Sequence, residues 1–284
     1  MGRKILAGVL AIVVLVVVGF LAYGWWTRRN PVAFSKGGAF GATSPSGAEA
    51  APSGAETAPT ITTATPSPGK TSTRTTAPTL APSGLVRVVP PKAGAYGYRA
   101  QGDERVKFGP FSACGWKLDD IRLVVKQDAG GTVEDWAYSS NRQERQIYSY
   151  RPDGAYLTFT GSSVTCMGVV QNSEEDYVPP ALRMKSPMKV GDSWSTSSQA
   201  GKRTETSTVK ITGTETVTVP AGTFFTYKIE LRSTFSGEQT GGTEIDAWYA
   251  PSIGLPIKEA QRTNAQSSGA TYNSDYVMQL VSVP

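Results

Sequence analysis

From Leu85 to the C-terminus, apolar residues recur at every second position in short runs cut by glycine and proline. A strand places successive side chains on opposite faces, so a period of two is what a sheet with one buried face requires. In Thr223–Arg232, Phe225, Tyr227, Ile229 and Leu231 share one face, and Phe224, Thr226, Lys228 and Glu230 the other. Ile121, Leu123 and Val125 alternate with Arg122, Val124 and Lys126; Ile245, Ala247 and Tyr249 alternate with Glu244, Asp246 and Trp248. Turn chemistry separates these runs at Asp128–Gly131, Arg151–Gly154, Pro220–Gly222 and Pro251–Gly254. With no convincing helical period between the turns, the pattern predicts an all-β, antiparallel domain over residues 85–284 with about ten to twelve strands.

The residues before Leu85 follow different rules. Ile5–Trp26 is an uncharged run of 22 residues. As a helix it would span roughly 33 Å, enough for a bilayer core. Arg3 and Lys4 precede it, and Tyr23, Trp25, Trp26, Arg28 and Arg29 mark the far end, where aromatic rings favour the headgroup level. The run is too long for a cleaved signal peptide and ends in bulky residues, so residues 1–29 are predicted to be one transmembrane anchor. Residues 30–84 are rich in Pro, Ser, Thr and Ala with few large apolar side chains. A segment of this composition buries too little surface to offset its ordering entropy, and is predicted to be a disordered stalk. The composition suits either an O-glycosylated stalk or an unmodified spacer. The short N-terminal tail is expected in the cytoplasm and the folded domain outside, which makes the bilayer the first expected partner.

Charge and composition close off several functions. The formal net charge is +5, but seven of the 28 basic and two of the 23 acidic residues precede Leu85, so residues 85–284 carry 21 of each. A neutral domain lacks the basic face that nucleic-acid binding needs. The chain contains no histidine, which excludes Ser-His-Asp and Cys-His catalysis and His-ligated zinc. Two cysteines cannot form a four-thiolate zinc site.

Three stretches in the second half carry a resemblance: Lys189–Trp194 with Gly191, Asp192 and Trp194; Val217–Phe224 with Pro220, Gly222 and Phe224; and Trp248–Gly254 with Trp248, Pro251 and Gly254. Their succession resembles a bacterial family of uncharacterised envelope proteins in which Gly-Asp-x-Trp, Val-Pro-Ala-Gly-Thr-Phe and Trp-Tyr-Ala-Pro-x-x-Gly recur in that order, over residues 182–283 here. The resemblance implies a curved antiparallel sheet or half-barrel, distantly like lipoprotein carriers, and brings no catalytic residue and no cofactor. Physically the motifs read as scaffold: Pro220 pre-sets a turn, Gly222 permits its backbone angle, and Trp194 and Trp248 are bodies large enough to close the ends of a curved sheet.

Few other residues carry chemistry. Glu174-Glu175-Asp176 offers carboxylate oxygens for calcium but fits no EF-hand spacing, and a solvated acidic loop accounts for it better. Asp119-Asp120 could supply one carboxylate of a glycosidase pair, which further needs a set separation. No metal site or catalytic residue is assigned. Cys114 and Cys166 are confined to the first half of the folded domain; outside a membrane this favours a disulfide over free buried thiols. The leading functional reading is a non-catalytic envelope protein that interacts with the cell wall or another envelope protein. A binder or carrier of a lipid or other apolar ligand is the alternative, and a carboxylate-based hydrolase comes last. The density of large side chains on faces such as Phe225–Leu231 predicts a filled core without a ligand cavity.

Overall fold

The computed structural model describes residues 34–37, 85–108, 112–267 and 269–284. The run Ile5–Trp26 and most of the expected stalk lie outside them. Among the described residues no helix is long and apolar enough to cross a membrane.

Twelve strands follow in chain order: β1 (Gly94–Phe108), β2 (Ser112–Asp128), β3 (Gly131–Ser139), β4 (Arg142–Arg151), β5 (Gly154–Cys166), β6 (Val169–Lys185), β7 (Ser193–Ala200), β8 (Arg203–Val219), β9 (Gly222–Gly237), β10 (Gln239–Ala250), β11 (Leu255–Ser267) and β12 (Ala270–Ser282). Each is hydrogen-bonded to the next, antiparallel, and β1 returns to pair with β12. The expected curved sheet or half-barrel is therefore a closed barrel. Closure is made by the long β1–β12 register, from Gly97 opposite Ser282 to Phe108 opposite Ala270. An open sheet would leave both strands with a row of unpaired backbone groups, and closure removes that edge.

One seam is weak. β6 pairs with β7 only at Tyr177 and Val178, after which Pro179 and Pro180 interrupt the ladder. Proline lacks the N–H that a ladder needs. Trp194 crosses the interruption, donating its indole N–H to the Leu182 carbonyl at 3.1 Å. It packs against the cluster that contains Val209, Ile211 and Tyr227. The Gly-Asp-x-Trp motif thus stitches the wall where backbone pairing fails.

All four turns read from the sequence lie at one end of the barrel. The Leu85–Lys92 segment runs across that end. Val86 bridges to Met188 in the β6–β7 connection, the Val88 N–H donates to Ser186 Oγ, and Gln127 Nε2 at the end of β2 donates to the Pro91 carbonyl. Gly254, in the β10–β11 turn, has φ +79°, and a Cβ there would sit 2.9 Å from the Val89 oxygen and 3.0 Å from Pro91 N. This glycine is required twice, by its backbone angle and by the plug that passes over it.

Cys114 and Cys166 are bonded to each other at the opposite end. They belong to β2 and β5, which are not neighbours; the short β3–β4 hairpin lies between them. The disulfide joins the taller strands over that hairpin and completes the rim.

Two stability changes are expected. Cys114→Ser with Cys166→Ser reopens a loop with a sequence separation of 52, and should lower unfolding free energy by roughly 4 kcal/mol on the chain-entropy model, read from urea melts. Gly254→Ala should cost about 1–3 kcal/mol in the same measurement, from the strained angle and the displaced plug.

Candidate functional site: the barrel lumen

Closure sorts the alternating residues into an outer wall and a lumen. Thr206, Thr208, Lys210, Arg232 and Thr234 are exposed on the outside of β8 and β9. A barrel facing lipid carries an apolar band there, so this wall is built for water. The inward face is not filled. A cavity of about 670 Å³ occupies the lumen, which corrects the expectation of a solid core. Ile229 and Leu231 do face inward as the alternation required, but Ala247 beside Ile229 on β10, Ala265 on β11 and Ala155 on β5 further round the wall are small and leave room.

The cavity changes character along its length. Toward the plugged end it is lined by Val88, Tyr150, Met184, Ile229, Tyr249 and Leu255. At the other end the lining includes Lys202, Glu238, Gln239, Ser267 and Ala270, all at or beside hairpin turns, so the lumen opens at that mouth.

Two ionic clusters stand on the lumen wall. In the first, Arg142 donates to Glu104 Oε1 at 2.6 Å and to Glu144 Oε2 at 2.8 Å. Glu104 also accepts from the Tyr272 hydroxyl at 2.7 Å and the Trp116 indole at 2.7 Å. The Arg142 guanidinium lies 4.2 Å from the Tyr138 ring centroid. In the second, Glu205 pairs with Arg183 at 2.7 Å and accepts from the Tyr177 hydroxyl at 3.0 Å, while Arg203 reaches Glu175 at 2.9 Å and Tyr177 at 3.0 Å. Burial would raise the Glu205 pKa, but Arg183, Arg203 and the Tyr177 hydroxyl overcome it and hold the carboxylate at about 2. Burial, reinforced by Glu205, pushes the Tyr177 phenol up to about 12. The Arg203 Nε is buried with no acceptor among the described residues, a donor available to a ligand.

Glu134 on β3 and Glu259 on β11 behave differently. Burial pushes Glu134 up to about 7; the Trp136 indole, donating at 3.3 Å, opposes the shift and the charge of Glu259 adds to it. Burial, with the charge of Glu144 behind it, also pushes Glu259 up to about 7. Both face the confined lumen, and neither was singled out by sequence reasoning. Each lies on a strand whose inward register only the barrel defines.

The residues chosen from sequence are placed as follows. Gly191, Asp192 and Trp194 form the turn into β7, with the Gly191 N–H donating to the Ile211 carbonyl. Pro220 and Gly222 make the β8–β9 turn, and Phe224 packs against the large cluster at the plugged end. Pro251 and Gly254 make the β10–β11 turn. Trp248 packs against the same cluster as Phe224, from the outer side of the wall. It lies on the outer wall, donating to Glu215 Oε2 at 2.8 Å with Lys258 Nζ 4.5 Å from its ring, because its neighbour Tyr249 takes the inward position. Glu174-Glu175-Asp176 is not a loop but part of β6. Alternation turns Glu175 inward to Arg203 and Glu174 and Asp176 outward, so the three carboxylates do not converge. Asp119 and Asp120 are exposed on the outside of β2, with Asp120 3.8 Å from Arg99.

Fold and site together define an up-and-down antiparallel barrel with a polar outer wall and a half-apolar, half-ionic lumen. A family model described as DUF3108-like matches residues 181–271, which contain all three quoted motifs. No curated protein sequence matches the chain at a significant level. Among solved structures, the hypothetical lipoprotein YmcC from Escherichia coli K12 aligns with a TM-score of 0.31 at 11% identity, covering 63% of this chain and 86% of that one. A candidate lipoprotein from Parabacteroides distasonis ATCC 8503 aligns with a TM-score of 0.30 at 13% identity, covering 71% of this chain and all of that one.

The lumenal carboxylates give stability a pH dependence of two signs. Between about 4.5 and about 7 the folded state holds protons on Glu134 and Glu259 that the unfolded chain has released, so stability falls as pH rises through that window. Glu205 acts oppositely: its contribution is complete above about 4.5 and lost as pH falls toward about 2. Melting temperature should therefore peak near pH 4.5, where the two windows meet. Glu134→Gln, which keeps an acceptor for Trp136, should flatten the decline toward neutral pH and leave the acid limb in place.

Proposed function

We propose that this protein is a non-catalytic, membrane-tethered envelope barrel that holds a small amphiphilic molecule in its lumen. The observation that carries the reading is the open cavity of about 670 Å³ between a plugged, largely apolar end and an ionic mouth. Its size lies within the roughly 300–1,000 Å³ usual for small-molecule sites. A ligand with an apolar body could lie against Ile229, Leu231 and Tyr249, with its polar end among Arg203, Lys202 and Glu175. The carboxylates of the two ionic clusters are bound to arginines, which suits recognition of a polar group better than proton transfer. The uncharged run Ile5–Trp26 and the Cys114–Cys166 bond support a place outside the cytoplasm, where disulfides persist.

Native mass spectrometry of protein extracted from its membrane in mild detergent tests this directly. A stoichiometric non-covalent adduct of a few hundred daltons is expected. Ala247→Phe, placing a ring in the lumen from β10, should remove the adduct and weaken binding of a hydrophobic fluorescent probe at least ~10-fold, on the order of 1.4 kcal/mol. Probe binding unchanged by a variant that melts normally would move the ligand out of the lumen and overturn the reading.

A further inference from the structure

Residues 34–37 belong to the segment expected to be a featureless stalk, yet they are seated on the outside of the barrel, 48 positions before the next described residue. The seat is built from four consecutive strands. Phe34 is 6% exposed, with its ring over Gly161 of β5. The Ser35 N–H and hydroxyl both donate to Glu174 of β6. Lys36 pairs with Asp176 of the same strand, and its Nζ lies 5.3 Å from the Phe159 ring centroid. Its carbonyl accepts from Arg145 Nη1 of β4 at 2.6 Å. Gly37 rests against Val133 of β3.

Three features of the wall make sense only with this segment in place. Arg145 projects outward from its strand but is 0% exposed. A buried guanidinium needs its hydrogen bonds met, and Asp135 meets two of them, at 2.6 and 3.0 Å, while the Lys36 carbonyl meets another. Val133, Ile147 and Phe159 form a buried apolar cluster on the outer face, where water would otherwise reach them. Gly161 occupies a strand interior, where glycine weakens pairing and marks a close approach. A Cβ there would stand 2.5 Å from the Phe34 ring.

We propose that Phe34–Gly37 is a latch, docked in cis on β3–β6, that ties the barrel close to the N-terminal hydrophobic run. The consequence for height above the membrane rests on the tethered reading given above; the contact itself does not. Phe34 follows Trp26 by eight residues, a reach of at most about 28 Å. A tether through all of the low-complexity segment would instead allow an excursion several times longer when extended.

Disulfide trapping in the full chain, reconstituted in lipid nanodiscs, tests the latch. Ser35→Cys is combined with Glu174→Cys, or with Asn264→Cys on the far side of the barrel as a control, and a protease site is placed within residues 38–84. After mild oxidation and cleavage, non-reducing electrophoresis should show the two fragments joined at least ~10-fold more in the Glu174 pair than in the Asn264 pair. Gly161→Val, which suits a strand but fills the space of the Phe34 ring, should bring the first pair down to the control while leaving the melting temperature within a few degrees. Should that variant fold poorly, Phe34→Ala serves the same purpose. Equal trapping of the two pairs, or trapping indifferent to both substitutions, overturns the latch. Trapping that persists in protein extracted by carbonate from native membranes supports the latch and overturns the tether, so the two failures are separable.

Discussion

Pairing of β1 with β12 is the constraint on which the remaining structure depends. The two strands lie at opposite ends of the folded sequence, and their register from Gly97 to Phe108 converts a twelve-strand meander into a closed wall. Closure satisfies the backbone groups that an open sheet would leave exposed, and it gives alternation an absolute meaning. Once the ring is shut, every second residue faces a shared lumen and the rest face water or a covering segment. A shift of one residue in any strand would exchange those roles.

The lumen shows how such a barrel tolerates polarity inside. Arg142, Glu104 and Glu144 form one network and Arg183, Arg203 and Glu205 another, each arginine meeting carboxylates at hydrogen-bond distance. Removing one member would strand its partner's charge in a confined space, so the networks stand or fall as units. They also prop the wall open near the mouth, since charged groups that already hold partners cannot collapse onto one another as alkyl groups would. The apolar end is sealed differently, by the Leu85–Lys92 plug and the turn at Gly254. The result is a space open at one end and graded in polarity along its axis.

The wall itself is uneven, and the places where backbone pairing falters are mended by side chains. Trp194 spans the break after Val178, and the Cys114–Cys166 bond spans the short β3–β4 hairpin at the rim. The outer face of β3–β6, where Arg145 and an apolar cluster would otherwise meet solvent, is covered by Phe34–Gly37. These repairs all lie on or beside β2–β7, the side of the barrel with its shortest strands and weakest seam.

Much of this was legible in the sequence because it depends on local pattern. Period-two alternation, together with the turn residues at Asp128–Gly131, Arg151–Gly154, Pro220–Gly222 and Pro251–Gly254, pointed to an antiparallel array of about ten to twelve strands, a range that holds the observed twelve, and the inward side of Phe225–Leu231 followed from the pleat alone. Alternation does not say what stands across the lumen. The small Ala155 of β5 faces those large residues only after closure, which is why a filled core was expected and a cavity found. The same reason hid Glu134 and Glu259: a carboxylate's pKa depends on what surrounds it in space, and their surroundings come from strands more than a hundred residues apart. Trp248 and Trp194 look alike as motif residues, but strand register sends one to the outer wall and the other to the seam. Local chemistry thus determined strands, turns and faces, while closure, the emptiness of the lumen and the seat for Phe34 were decided by contacts between residues distant in the chain, which no local pattern encodes.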